Sequence, residues 1–193
     1  MMLGRHWRGS RVNGWLVTEK FRGVHAYWDG QDAWTRGGVR IALPAEYRAA
    51  LPAGHHLEFE VWAGRGPENG PEEQEATRAA VHGRFTPRIR FLVFDAPAAR
   101  GDWSQRMYVA SALISGAELV RPVGFEQLGG FPALEQAWER VRARGGEGLM
   151  LRAPNDEGYL AGRTDTLLKV KLPPSLRRGR LHARWGASSL AAA

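Results

Sequence analysis

Residues 18–30 read TEKFRGVHAYWDG, an extended, aromatic-rich run in which Lys20 is followed by Arg22, Gly23 and His25. Side chains two apart in a strand share a face, so the run predicts Lys20 and Arg22 as neighbouring cations. A neighbouring cation disfavours the charged form of an amine, one route by which a lysine becomes a nucleophile. Taken alone, an exposed basic pair is equally an ordinary solvated surface.

Outward from this run, short stretches dense in β-branched and aromatic residues recur between glycine or proline breaks: WLVTEK, VHAYWDG, AWTRGG, HLEFEVWAG, IRFLVFDAP, GLMLRAP and LLKVKLPP. Each predicts a strand. In HLEFEVWAG, Leu57, Phe59 and Val61 alternate with Glu58, Glu60 and Trp62, so one face packs while the other presents polar groups. PALEQAWERVRARGG carries Leu134, Trp138 and Val141 at helical spacing, with arginines in its last turn and Gly145 placed to cap it. Weaker helical patterns cover 44–50, 71–81 and 104–115, the second polar enough to suit a loop with one helical turn. The mixture predicts an α+β fold with a mainly antiparallel sheet.

The 193 residues suit one substantial core. No stretch approaches the roughly 20 apolar residues that span a bilayer, and MMLGRHWRGSRVNG lacks the apolar segment of a secretory signal. A cytoplasmic location is the expectation. Without cysteine there is no disulfide, thiolate metal site or thiol nucleophile, so any metal sits on oxygen or imidazole. The net charge of +7 suits a partner with many phosphates, nucleic acid above all. A general arginine-rich bias would give the same balance. Residues 1–14 read as a basic N-terminal segment, 15–174 as the folded body, and 175–193, with Arg177, Arg178, Arg180 and Arg184, as a basic and flexible tail.

Three further features bear on chemistry. Glu60 and Glu147 each lie on or beside a strongly apolar strand, where a carboxylate needs a partner, either Mg²⁺ or an arginine. In LLKVK, Lys169 and Lys171 share one strand face while Leu168 and Val170 occupy the other. Such a lysine pair protects an edge strand from aggregation or grips a phosphate. Together, a lysine nucleophile, oxygen ligands and a phosphate clamp are the parts needed to attack a nucleoside triphosphate at its α-phosphorus.

In order and kind these residues resemble the covalent nucleotidyltransferases, specifically the small bacterial ATP-dependent DNA ligases. Their K-x-D-G-x-R motif is similar to KFRGVH, with Lys20 as nucleophile, Gly23 as the glycine, and Arg22 and His25 where the family has aspartate and arginine. Arg36 in WTRGG matches an arginine that contacts DNA phosphate, and Glu60 in EFE the glutamate of a D-G-E motif, with Phe59 in place of its glycine. Phe94, rather than Phe91, matches the adenine-stacking aromatic, Glu147 in EGLMLR a metal-binding glutamate, and Lys169 and Lys171 the closing K-x-K.

The resemblance covers about 15–174. It implies an antiparallel-sheet, ATP-grasp-like adenylation domain with ATP and Mg²⁺ as cofactors. Lys20, Lys169 and Lys171 would be catalytic. Glu19, Gly23, His25, Glu60, Phe94 and the two late lysines would hold the nucleotide, Glu60 and Glu147 the metal, and Arg22 and Arg36 DNA. The implied reaction is formation of lysyl-AMP, transfer of AMP to a 5′-phosphate, and sealing of nicked duplex DNA in repair by a monomeric enzyme. The family's OB-fold is expected to be lacking, since residues 172–193 are too few for a five-stranded barrel, so a helper protein would supply the missing clamp. A relative that binds nicks or nucleotide without joining, and an RNA ligase or guanylyltransferase-like enzyme, are the alternative readings.

Overall fold

A computed structural model describes residues 1–65, 70–114, 118–154, 156 and 158–171. The anticipated basic tail therefore lies outside the described residues. In chain order the elements are β1 (Met2–His6), β2 (Leu16–Lys20), β3 (Val24–Trp28), β4 (Ala33–Thr35), β5 (Arg40–Ile41), α1 (Ala45–Ala50), β6 (Leu57–Trp62) and α2 (Pro71–Val81). There follow β7 (Arg90–Asp95), α3 (Trp103–Leu113), β8 (Val120–Pro122), β9 (Glu126–Gln127), α4 (Phe131–Ala143), β10 (Gly148–Arg152) and β11 (Gly162–Val170). The chain belongs to the α+β class, and pairing within its sheets is antiparallel except for β1 with β11 and β7 with β8.

The length suited one core; the structure has two compact units, each with its own. The first comprises Met1, Phe21–Val123 and residues 158–159. Its six-stranded sheet has the order β5-β4-β3-β6-β7-β8. Leu57, Phe59 and Val61 on one face of β6 are fully buried, and Phe59 stacks on Phe91 of β7 with ring centroids 4.5 Å apart. Burying each such side chain contributes about 1.5–3 kcal/mol relative to exposure, which fixes the register and sends Glu58 and Glu60 to the opposite face. The 71–81 segment is a complete helix: Pro71 opens it, Glu72 and Glu73 lie in its first turn, and Thr77, Ala80 and Val81 are buried. Packing of this narrow stripe outweighs the segment's overall polarity.

The helix α3 begins at Asp102, whose side chain accepts from the Gln105 backbone amide while Gln105 returns a bond to the Asp102 amide. It carries Arg106, fully buried, whose Nε donates to Asp95 Oδ1 at 2.8 Å and whose Nη1 donates to the Gly101 carbonyl at 3.0 Å.

The second unit comprises Met2–Lys20, Gly124–Asp156 and residues 160–171. Its five-stranded sheet has the order β1-β11-β10-β2-β9. Val17, Leu149, Leu151, Leu168 and Val170 form one buried face, with Leu134, Trp138 and Val141 of α4 in the same core. The helix ends as its arginines and Gly145 predict. Gly145 takes φ +73° and donates to the Arg142 carbonyl, and the Gly146 amide closes on Val141. This cap delivers Glu147 to the start of β10.

The N-terminal residues read as a basic segment instead form β1, which runs parallel to β11 with His6 opposite Lys169; Met2 and Trp7 are buried. MLGRHW has apolar residues at only some alternate positions and no β-branched side chain, so its strand character comes from the ladder it joins.

Candidate functional site

Lys20 ends β2, opposite Gly148 of β10. Only glycine fits there, because a Cβ would lie 2.3 Å from the Val170 carbonyl oxygen. The preceding residue, Glu147, is shared by two lysines: Lys20 Nζ lies 2.5 Å from Oε2 and Lys171 Nζ 2.5 Å from Oε1. The Glu147 side chain is 6% exposed against 23% and 35% for the two lysines, so a largely buried anion sits beneath two accessible ammonium groups. Burial pushes the Glu147 carboxyl up, but Lys20 and Lys171 outweigh it and hold the group below the usual carboxylate range.

A carboxyl depressed in the folded state contributes stability above its ordinary value of about 4.5, and that contribution is lost as pH falls through the folded value. Unfolding free energy measured against pH is therefore expected to fall more steeply below about 4.5 in wild type than in Glu147→Gln, with parallel curves at neutral pH. Parallel curves throughout would show that the three-residue cluster does not hold in solution.

Lys169 pairs with Met150 in the ladder and stands on the same strand face as Lys171, as the alternation predicts. His6, opposite Lys169, is held below the ordinary histidine value by burial and then by Lys169, Lys171, Arg163 and Arg8. The face is strongly cationic. Glu19, on the opposite face of β2 from Lys20, lies 3.8 Å from Arg144 Nη2.

The anticipated pairing of Lys20 with Arg22 does not form as a strand-face pair. β2 stops at Lys20, whose ion-pair partner is Glu147, and Arg22 enters the other unit with its Nε buried and without a hydrogen-bond partner among the described residues.

In that first unit, the Gly23 amide donates to Glu60 Oε1 at 2.8 Å. A Cβ at Gly23 would lie 2.1 Å from the Val61 carbonyl oxygen and 2.7 Å from Glu60 Cγ. Gly23→Ala must therefore push β3 from β6, at about 1–3 kcal/mol. The expected readout is a lower urea midpoint at unchanged slope; an unmoved midpoint would mean the strands do not approach this closely.

His25 Nε2 lies 3.0 Å from Glu58 Oε2, and the His25 ring meets the Phe94 ring edge to face with centroids 5.0 Å apart. Phe94 is half-buried whereas Phe91 is fully buried in the core, so of the two aromatics Phe94 has the accessible surface. Arg36 is exposed just past β4, its amide bonded to the His25 carbonyl at 3.2 Å.

Thus Lys20, Glu147 and Lys171 come together in one unit, while Gly23 with Glu60, and His25 with Phe94, come together in the other. Sequence reading passed over Glu58, fully buried yet bonded to His25 and to the Tyr159 hydroxyl. Its period-two relation to Glu60 was the available signal. Tyr159, 101 positions away, had none. Among the described residues no group of three or more His, Asp or Glu assembles a metal cage, and no helix is long and apolar enough to cross a membrane.

No family model matches the chain. It is 28% identical over 177 residues to the DNA ligase of Haemophilus influenzae, covering 89% of this chain and 63% of that protein, so it spans under two thirds of that relative's length. A solved Lig E DNA ligase superposes with a TM-score of 0.76 at 30% identity, covering 89% of this chain and 68% of that one. The Chlorella virus DNA ligase-adenylate superposes with a TM-score of 0.70 at 19% identity over 88% of this chain and 67% of that one, a likeness of fold.

Proposed function

We propose, from the premise that this chain belongs to the ATP-dependent DNA ligase family, that it is the adenylation domain of an enzyme that seals nicked duplex DNA, with Lys20 as nucleophile. The observation that carries the reading is the Glu147 carboxylate lying 2.5 Å from both Lys20 and Lys171. The contact holds the Lys20 nitrogen in place beside the Lys171 cation, and the amine attacks after losing its proton. The Lys20 nitrogen forms a bond to the α-phosphorus of ATP, the bond from that phosphorus to the bridging oxygen breaks, and pyrophosphate leaves. AMP then passes to a DNA 5′-phosphate, and a 3′-hydroxyl attacks to form the phosphodiester and release AMP.

Lys169 and Lys171, two cations on one strand face, hold the α-phosphate and its developing charge. Phe94 stacks on adenine; Glu19, Gly23, His25 and Glu60 hold the rest of the nucleoside. Arg22 and Arg36 meet DNA phosphate. Mg²⁺ would be held by Glu60 and Glu147, and supplies charge neutralisation on the phosphates when bound. Each carboxylate by itself is of the kind Mg²⁺ accepts, since Mg²⁺ takes one or two carboxylates together with substrate phosphates rather than a full protein cage. The reading also takes 15–174 as the adenylation body, a monomer in the cytoplasm acting in repair, with the basic tail or a helper protein adding DNA contacts.

Incubation with α-³²P-labelled ATP and Mg²⁺ tests it. Wild type is expected to retain label after denaturation, mapped by peptide mass spectrometry to Lys20, and to seal a nick that already carries 5′-AMP. Wild type that does neither while still shifting nicked DNA at low salt would be a binding protein, and the reading would fall.

A further inference from the structure

The buried carboxylate of Glu58 has no role in the reaction above. It is fully buried, accepts from the Tyr159 hydroxyl on Oε1, and lies 3.0 Å from His25 Nε2 through Oε2; the Met1 amine is 3.8 Å from Oε1. Burial of an acid is costly unless it is hydrogen-bonded, and Glu58 meets its partners from β3, from Tyr159 and from the N-terminus. The partners are therefore constrained.

A carboxylate only accepts hydrogen bonds. With Oε1 taken by Tyr159, Oε2 holds the imidazole proton on Nε2, and a neutral ring then carries its lone pair on Nδ1. Nδ1 has no partner among the described residues. The same ring lies edge-on to Phe94, the aromatic assigned to adenine, and the sugar of a nucleotide stacked there is the group next to the base. A lone pair at Nδ1 accepts; it rejects phosphate oxygens, which also accept, and suits a hydroxyl.

We propose that Tyr159 and Glu58 are positioning residues that lock His25 as the Nε2–H tautomer, making its Nδ1 the acceptor for a ribose hydroxyl and His25 the residue that tells ribonucleotides from deoxyribonucleotides. The inference rests on the nucleotide reading above. An arginine at position 25 has no acceptor and could not do this.

Two measurements test it. Long-range ¹H–¹⁵N spectra of the free protein at pH 8 read the tautomer directly: Nε2–H is expected in wild type. In Glu58→Gln, with Tyr159 still donating to the carbonyl oxygen, the amide NH₂ faces His25 and the proton is expected to move to Nδ1. An Nδ1–H ring or an imidazolium in wild type overturns the proposal.

The second measurement is the ratio of affinities for ATP against 2′-deoxyATP and 3′-deoxyATP, read by equilibrium binding and by covalent labelling. Wild type is expected to favour ATP over at least one analogue by roughly tenfold, the worth of one well-made hydrogen bond. The ratio should fall to within about threefold of unity in Glu58→Gln. Tyr159→Phe should lie between. A general loss of packing lowers all three affinities together and leaves the ratio unchanged. A flat ratio in a wild type that takes label overturns the hydroxyl role and leaves adenylation standing. A tenfold binding ratio without label does the reverse.

Discussion

Lys20→Ala is expected to lower uptake of AMP from ATP by at least about a thousandfold, because removing the atom that forms the covalent bond leaves binding and electrostatics but no intermediate. The fold should survive. Glu147 keeps Lys171 at 2.5 Å, so no buried carboxylate is left unpaired, and the 23% exposed Lys20 side chain leaves no sealed cavity. A urea midpoint close to wild type together with absent label is the expected pair of results. Lys20→Arg sharpens the comparison: it restores a cation beside Glu147 but not a nucleophilic amine, and should remain equally unlabelled. Label retained on either variant would place the nucleophile elsewhere and remove Lys20 from the chemistry.

Arg106→Met should produce the largest loss of stability, about 3–5 kcal/mol, since it strands the Asp95 carboxylate in the core. Both side chains are fully buried, joined at 2.8 Å, and Asp95 Oδ1 also accepts from the Ala96 amide. Losing the guanidinium removes the charge that balances an anion taken out of water. The double variant Asp95→Asn/Arg106→Met should recover much of the loss, because it removes the stranded charge as well as its partner. Chemical denaturation of the three variants checks this. A loss below about 1 kcal/mol for the single variant, the range of exposed pairs, would mean that water reaches the pair.

Much of this site could be read along the chain. β6 shows its apolar face through Leu57, Phe59 and Val61 because strand geometry repeats every two residues, and α4 shows Leu134, Trp138 and Val141 because helix geometry repeats every 3.6. Lys169 and Lys171 followed from the same alternation, while Phe94 was named by resemblance. Arg22 failed the rule because a strand's end is not encoded in its alternation. β2 stops at Lys20, and the Gly23 backbone then runs too close to Val61 for any Cβ.

What the letters alone determined, then, were the local elements and the resemblance carried by Lys20, Glu60, Glu147 and the two late lysines. The three-dimensional structure decided the partners. Glu147 meets Lys20 across 127 positions, Tyr159 meets Glu58 across 101, and β1 joins β11 from the far end of the chain. Pattern reports which way a side chain points from its own backbone. Which charge it meets depends on loop closure and sheet order, and those are set by where the two cores bury their apolar faces.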